Sequence, residues 1–459
     1  MILCAEKTVV GGQCRQGIGI LIDSDGRIAS IGPIGELEST GEPVERLPGK
    51  VLFPGMINAH SHAFQRLLRG RTQVAGPAQD NFWTWRRRMY QVAASLDPEG
   101  VRVVARQMFL EMLLSGVTTV GEFHYLHHQP DGTPYDDPSA LALAVIEAAR
   151  DVGIRISLLR TVYLRGDFGV APAVNQRRFC DGSVEEAAAR IDHLCEQVSR
   201  LGDERVTVGV ASHSVRAMAR KDIISLKTVY GDRPFHIHVS EQPREVESCR
   251  EAYGMSPVEL LAQSGVLDSL TCLVHGTHLE DGEVDRIAQF GSTVCVCPST
   301  EADLGDGLVN ASRLYKRGVH LALGTDGQTL GSILEEARRL EMHERLRTES
   351  RNVLIRREGD SSGTAVLEAG TINGARALNL SAGELAPGRW GDVVTFDLSD
   401  PHLLGLDDGA LPDGVMFSAD SRALADVMVA GRWVVRDGVH EGMERSRQEY
   451  GALASHLFN

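Results

Sequence analysis

The chain lacks any apolar run near the roughly 20 residues that a helical membrane span needs. A bilayer-spanning mode of action is therefore not expected. Its first residues, MILCAEKTVVGG, lack a basic start followed by a long apolar segment, so no signal peptide is expected either. There is no excess of positive charge: 47 Lys and Arg face 62 Asp and Glu, for a net charge of −15. Nucleic acids and anionic membrane surfaces both need a positive face, which argues against either as a partner. This balance says little about small substrates, because a pocket can be locally basic. A dense cysteine framework is also missing. The eight Cys are scattered along 459 residues, as fits free thiols in a reducing cytoplasm. Cys295 and Cys297 form a C-x-C within an apolar run, but no partner ligands stand nearby. They read as core cysteines on one face of a buried strand. Finally, no internal repeat is evident, so a solenoid is not indicated.

What is present is ordinary for a globular protein: 42% hydrophobic and 24% charged residues, enough for a sizeable core. The length suits two or three average domains, or one large barrel with an appendage. An alternation decides between them. Eight short β-branched runs occur, at Lys50–Asn58, Val117–His124, Ile154–Leu164, Val206–Ser214, Phe235–Glu241, Thr271–His278, Ser292–Thr300 and His320–Asp326. Between them lie amphipathic helical patterns such as Val101–Ser115, Ser139–Val152, Val184–Arg200, Glu280–Phe290 and Ser332–Leu346. Strict alternation implies a parallel sheet with helices outside, and eight units close a (β/α)₈, TIM-like barrel.

The ends read differently. Gly17–Asp23 and Gly26–Ile31 are short strands with turn glycines, and Val393–Asp397 and Asp426–Arg436 resemble them. The expectation is one small composite β-sandwich domain from residues 1–52 and 382–445, a barrel over 53–381, and a C-terminal tail over 446–459. Two separate extensions are the alternative.

Polar residues recur where the barrel strands end: His60 and His62, then Glu122, His124 and Tyr125, then His213 and Arg216, His238 and Glu241, His275 and His278, and Asp326. Barrel active sites form at those ends, so these side chains are expected on one face. His60 and His62 are two apart and point to the same side of a strand. Two imidazoles side by side suit a borderline-soft cation such as Zn²⁺, and His238 with Asp326 would complete the protein ligands. Alone, His-x-His could be a chance polar pair. Such a cation lowers the pKa of water from about 15.7 to about 7, which supplies a nucleophile at neutral pH. Glu241, three residues past His238, can face the reacting centre without binding the metal and act as general acid–base. His275 suits proton transfer or polarisation. For both, orienting the ligands is the alternative role.

These residues resemble the amidohydrolase superfamily. The resemblance rests on Pro54-Gly55-Met56-Ile57-Asn58-Ala59-His60-Ser61-His62, on His238, His275 and Asp326, and on the closing Gly391-Asp392-Val393-Val394. His238-Val239-Ser240-Glu241 is similar to the His-x-x-Glu of the mononuclear aminohydrolase branch, which removes ammonia from C=N centres. Binuclear members usually carry a bridging Lys on the fourth strand. Here that strand ends Ser212-His213-Ser214, which implies one metal.

Within that branch the chain resembles the formimidoylglutamate deiminases. The stretches that carry this are His60 to Arg66, Phe82-Trp83-Thr84-Trp85-Arg86, Glu122 to Tyr125, Gln176-Arg177-Arg178-Phe179, His213 to Arg216 and Ser299 to Gly307. The resemblance implies that Gln65, Arg86, Tyr125, His213 and Arg216 hold the glutamate part of N-formimino-L-glutamate. Guanidinium groups suit that dicarboxylate, because Arg pairs with carboxylates bidentately. From spacing alone, Arg86 in Arg86-Arg87-Arg88 reads as a solvated charge, and Arg216 could be a helix-start surface charge. The implied reaction has Asp326 taking a proton from water while Glu241 and His275 move protons to the departing nitrogen. One zinc per subunit is implied, although the same ligands can take Fe or Mn. A cytoplasmic homodimer is implied as well. The chain departs from the family after Asp326, where Gly327-Gln328 replaces the usual Ser-His. The alternative activity is deamination of a purine or pyrimidine base, and the alternative class is a barrel that has lost catalysis.

Overall fold

The structure, a computed structural model, describes residues 1–74 and 81–458. Eight parallel strands pair in sequence order: Met56–Ser61, Val117–His124, Arg155–Val162, Val206–Ser214, Phe235–Val239, Thr271–His275, Thr293–Val296 and His320–Leu323. The last and first strands meet through Thr325 N–H and Asp326 N–H, which donate to the carbonyl of His60 at 3.0 and 3.1 Å, and through a Ser61–Asp326 bridge. Small side chains fill part of the barrel interior. Ala59, Cys272, Cys295, Cys297 and Ala322 form one buried cluster, so Cys295 and Cys297 are core residues. Helices alternate with the strands. Pro98–Leu113, Ala140–Val152, Val184–Leu201, Asp281–Phe290 and Ile333–Thr348 begin and end within three residues of the sequence patterns.

A mixed eight-stranded sheet is built from both termini. Its joint is the strand Val44–Pro54, which runs parallel to Ile2–Val10 and antiparallel to Val393–Asp397, with Phe53 opposite Val394. The run Lys50–Asn58 is thus two strands, not one. It breaks at Gly55, where a Cβ would stand 2.3 Å from Thr118 Oγ1. Lys50 to Pro54 belong to the terminal sheet and Met56 onward to the barrel. The sheet is tied to the barrel by a buried pair: Arg155 of the third barrel strand donates to both oxygens of Asp392 at 3.2 and 3.1 Å.

The segment 446–459, expected as a tail, lies largely within the helix Met443–Phe458. Tyr450, Leu453 and Leu457 pack on the core at helical spacing, and Ser446 Oγ donates to Gln107 at 2.8 Å. Among the described residues, no helix is long and apolar enough to cross a membrane.

Candidate active site

The C-terminal ends of the barrel strands converge, and four potential ligands stand together. His60 Nε2 lies 3.2 Å from His62 Nε2 and 3.1 Å from His238 Nε2. Asp326 Oδ1 is 3.3 Å from His60 Nε2 and 3.1 Å from His62 Nε2. The tautomers follow from the outer contacts. His62 Nδ1 meets the carbonyl of Phe123 at 2.8 Å, and His238 Nδ1 meets that of His213 at 2.9 Å. A carbonyl only accepts, so each Nδ1 carries the proton and each Nε2 presents a lone pair. Lone pairs from two histidines and a carboxylate crowded around a third imidazole repel one another unless a cation stands among them. The residues therefore fit a metal ion. Burial pushes the pKa of His60 down to about 3, against the pull of Asp326, so the ring is neutral as a ligand must be. Asp326 has a left-handed backbone, φ 44°, of the kind that collects at functional sites.

Beside this cluster, His275 Nε2 lies 3.7 Å from Glu241 Oε1 and 3.8 Å from Asp326 Oδ2. Burial opposes a charged His275, but Glu241, Glu301 and Asp326 outweigh it and hold its pKa at about 10. Burial is also the main cause that pushes the Glu241 carboxyl up, while His275 and Arg216 pull against it. Two buried acids from the stretch Ser299 to Gly307, to which the sequence assigned no role of their own, stand behind these groups. Glu301 Oε1 is 3.3 Å from His275 Nδ1 and accepts the Cys297 N–H at 2.9 Å, which fixes the ring. Asp306 is pushed up to about 9 by burial and by Glu241. Both sit just after the seventh strand, in a stretch with no periodicity to mark them. The helix that carries Glu301, Pro298–Leu304, is anchored at its start by Glu336, which accepts from Ser299 N and Oγ.

Glu336 gives a pH prediction. Burial pushes its pKa up to about 8, although the two Ser299 bonds oppose this. A carboxyl whose folded pKa exceeds its unfolded value stabilises fully below the unfolded value. That stability is then lost as pH rises through the folded value. Glu336→Gln keeps the shape and removes the cost of ionisation. It is expected to match the unaltered chain at pH 5 and to exceed it at pH 9 by about 2–5 kcal/mol. Denaturant unfolding at the two pH values checks this, and an equal difference at both would contradict it.

A pocket of about 540 Å³, partly open to solvent, lies over the cluster. His62, His238, Glu241, His275 and Asp326 line it, and so do Gln65, Arg86, Tyr125, His213 and Arg216. His60 is fully buried beneath. Gln65 Nε2 donates to Tyr125 Oη at 2.9 Å, and Gln65 Oε1 is buried with no partner among the described residues. His213 packs edge-on to Tyr163, with ring centroids 4.6 Å apart. Arg216 is buried, 4.0 Å from Glu241 and 3.6 Å from Glu245, so it is not a surface charge. Arg165 donates to its carbonyl at 2.9 Å.

Arg86 is not a freely solvated charge either. It lies on the helix Phe82–Ala94, whose N-terminus Asn81 caps by accepting from Trp83 N and Thr84 N. Helical spacing turns Arg86 toward the pocket with Met89 and Tyr90 and leaves Arg87 exposed. The Arg86 guanidinium stacks 4.6 Å from the Trp83 ring. Arg178 holds the other end of this helix by donating to the carbonyls of Ala93 and Leu96. His124 ends the second strand but does not line the pocket. Glu122 lies below, accepting from Ser61 Oγ and Ala63 N at 2.6 and 2.7 Å.

Known proteins are similar to this chain in sequence and in fold. The model of the amidohydrolase family matches residues 51–434. The formimidoylglutamate deiminase of Pseudomonas aeruginosa is 39% identical over 457 residues, 99% of each chain. The 8-oxoguanine deaminase of the same species is 29% identical over 440 residues, 93% of this chain and 91% of that one. Among solved structures, an amidohydrolase from Brucella melitensis superposes with a TM-score of 0.90 at 33% identity, covering all of both chains. An adenosine deaminase from Xanthomonas campestris, with bound zinc, shares the fold at a TM-score of 0.81 and 22% identity, over 99% of this chain and 98% of that one. With a family match over most of its length and a full-length relative at 39% identity, the chain belongs to the amidohydrolase family.

Proposed function

We propose that the chain hydrolyses N-formimino-L-glutamate to N-formyl-L-glutamate and ammonia. The observation that carries this reading is the pair of guanidiniums, Arg86 and Arg216, in the wall of the pocket over the His60–His62–His238–Asp326 cluster. Two fixed cations suit a substrate with two carboxylates and are wasted on a neutral base. The similarity to the Pseudomonas deiminase supports the same substrate.

His60, His62, His238 and Asp326 would hold one zinc ion, whose chemistry there would be to supply activated water at neutral pH. The chain's own groups do the rest. Asp326 Oδ2, near His275 Nε2, takes a proton from the attacking water. Glu241 and His275 pass protons to the departing nitrogen. The C–N bond to that nitrogen breaks, the formyl C=O forms, and ammonia leaves. Gln65, Arg86, Tyr125, His213 and Arg216 hold the glutamate portion. The family resemblance carries the further expectation of a cytoplasmic homodimer acting in histidine degradation.

The test is ammonia release from N-formimino-L-glutamate, from its aspartate homologue and from guanine, 8-oxoguanine and adenosine. Preference for the glutamate compound is expected. Faster turnover of a heterocycle would replace this reading with base deamination, which the aromatic wall of Trp85, Tyr90, Tyr125 and Phe179 could accommodate.

A further inference from the structure

The turn after the eighth strand is held in an unusual way. Asp326 and Gln328 both have left-handed backbones, φ 44° and 62°, which L side chains rarely adopt. Gly327 between them approaches Thr300 closely and donates its N–H to Thr300 Oγ1 at 3.0 Å. The Gln328 side chain is fully buried, and both atoms of its amide are engaged. Nε2 donates to Ser61 Oγ at 2.9 Å and to the Asp326 carbonyl at 3.0 Å, while Oε1 accepts from Thr325 Oγ1 at 3.0 Å.

Those contacts extend outward. Ser61, which stands between His60 and His62, donates to Glu122 Oε2 at 2.6 Å. Thr325 is gripped by Asn58, whose Nδ2 donates to Thr325 Oγ1 at 2.7 Å and whose Oδ1 accepts the Thr325 N–H at 3.1 Å. One amide thus ties the main chain of Asp326 to the residue between the two first-strand histidines. Gln328 does not line the pocket.

We propose that Gln328 is a positioning residue for the metal centre. Its amide fixes where the Asp326 carboxylate stands relative to His60 and His62. A polar network in which every member is satisfied is stiff, and removing one member leaves buried donors and acceptors without partners. The inference rests on the reading of His60, His62, His238 and Asp326 as metal ligands.

Two variants test it. Gln328→Met keeps the length and removes all three side-chain hydrogen bonds. Gln328→Glu keeps the acceptor for Thr325 and removes both donations. The zinc-loaded proteins are mixed with excess chelator and zinc loss is timed. Both variants are expected to lose zinc about tenfold faster or more, the scale for groups that orient ligands. The visible spectrum of cobalt-substituted protein is expected to shift, and the melting temperature of the metal-free protein to fall only modestly, by the cost of the buried groups that lose their partners. Unchanged zinc loss and an unshifted cobalt spectrum would overturn the proposal. So would a lower melting temperature of the metal-free variants with unchanged zinc loss, which would leave Gln328 a role in barrel closure alone. If Gln328→Met does not fold, Ser61→Ala removes the far end of the same bond and must speed zinc loss likewise. Failure of the unaltered chain to retain stoichiometric zinc would instead sink the underlying metal reading.

Discussion

Glu241→Gln is expected to lower turnover about 10²–10⁴-fold while the protein keeps its metal. Glutamine fills the same space and leaves the His60–His62–His238–Asp326 cluster untouched, because Glu241 is not one of its members. What it removes is a proton carrier. Glu241 is buried within 3.7 Å of His275, in a position to take a proton and hand it on. Burial holds its carboxyl above the usual range, closer to the pH at which a group can both accept and release a proton. Ammonia release measured beside zinc content checks the claim. Normal turnover would remove Glu241 from the reaction, and loss of zinc would recast it as part of the metal shell.

The same residues show what a sequence can disclose. His60 and His62 were legible because a strand has period two and the run before them is β-branched. His238 and Asp326 were legible because each stands near the end of another such run. The barrel followed from eight repeats of one pattern, and most helix ends fell within a few residues. Other features depend on distant pairing. Gln328 meets Ser61 across 267 residues, and Glu301 meets His275 from a helix start with no apolar period to flag it. The break at Gly55 went unread because residues on both sides are apolar, and it shows only in the change of partner, from Val393 opposite Pro54 to Val117 opposite Met56. Arg86 had a usable signal that spacing alone concealed. Phe82, Met89, Tyr90 and Ala93 form the buried stripe of its helix, and Arg86 lies on that side. The helix at the C-terminus had one too, in Tyr450, Leu453 and Leu457.

Arg216→Met is expected to lower kcat/KM for the dicarboxylate by about 10²–10³-fold, mainly through KM, with zinc retained. The guanidinium is buried, and burial alone would weaken its charge, but Glu245 and Glu241 hold it protonated. It offers a substrate carboxylate a partner already stripped of water and already oriented. Methionine matches its stem and not its charge. The change also strands Glu245, whose carboxyl burial already pushes up to about 7 against the pull of Arg216. Without that pull its pKa rises further, so it is neutral at pH 7. As pH climbs through the raised value, it ionises without a partner and repels the incoming carboxylate. The defect should therefore deepen between about pH 7 and pH 9. Glu245→Gln added to Arg216→Met removes the group that titrates, and the deficit should then be flat across that range. A single variant with unchanged kcat/KM would deny Arg216 its carboxylate. A deficit that shrinks as pH rises would show that some group other than Glu245 sets the charge of this wall.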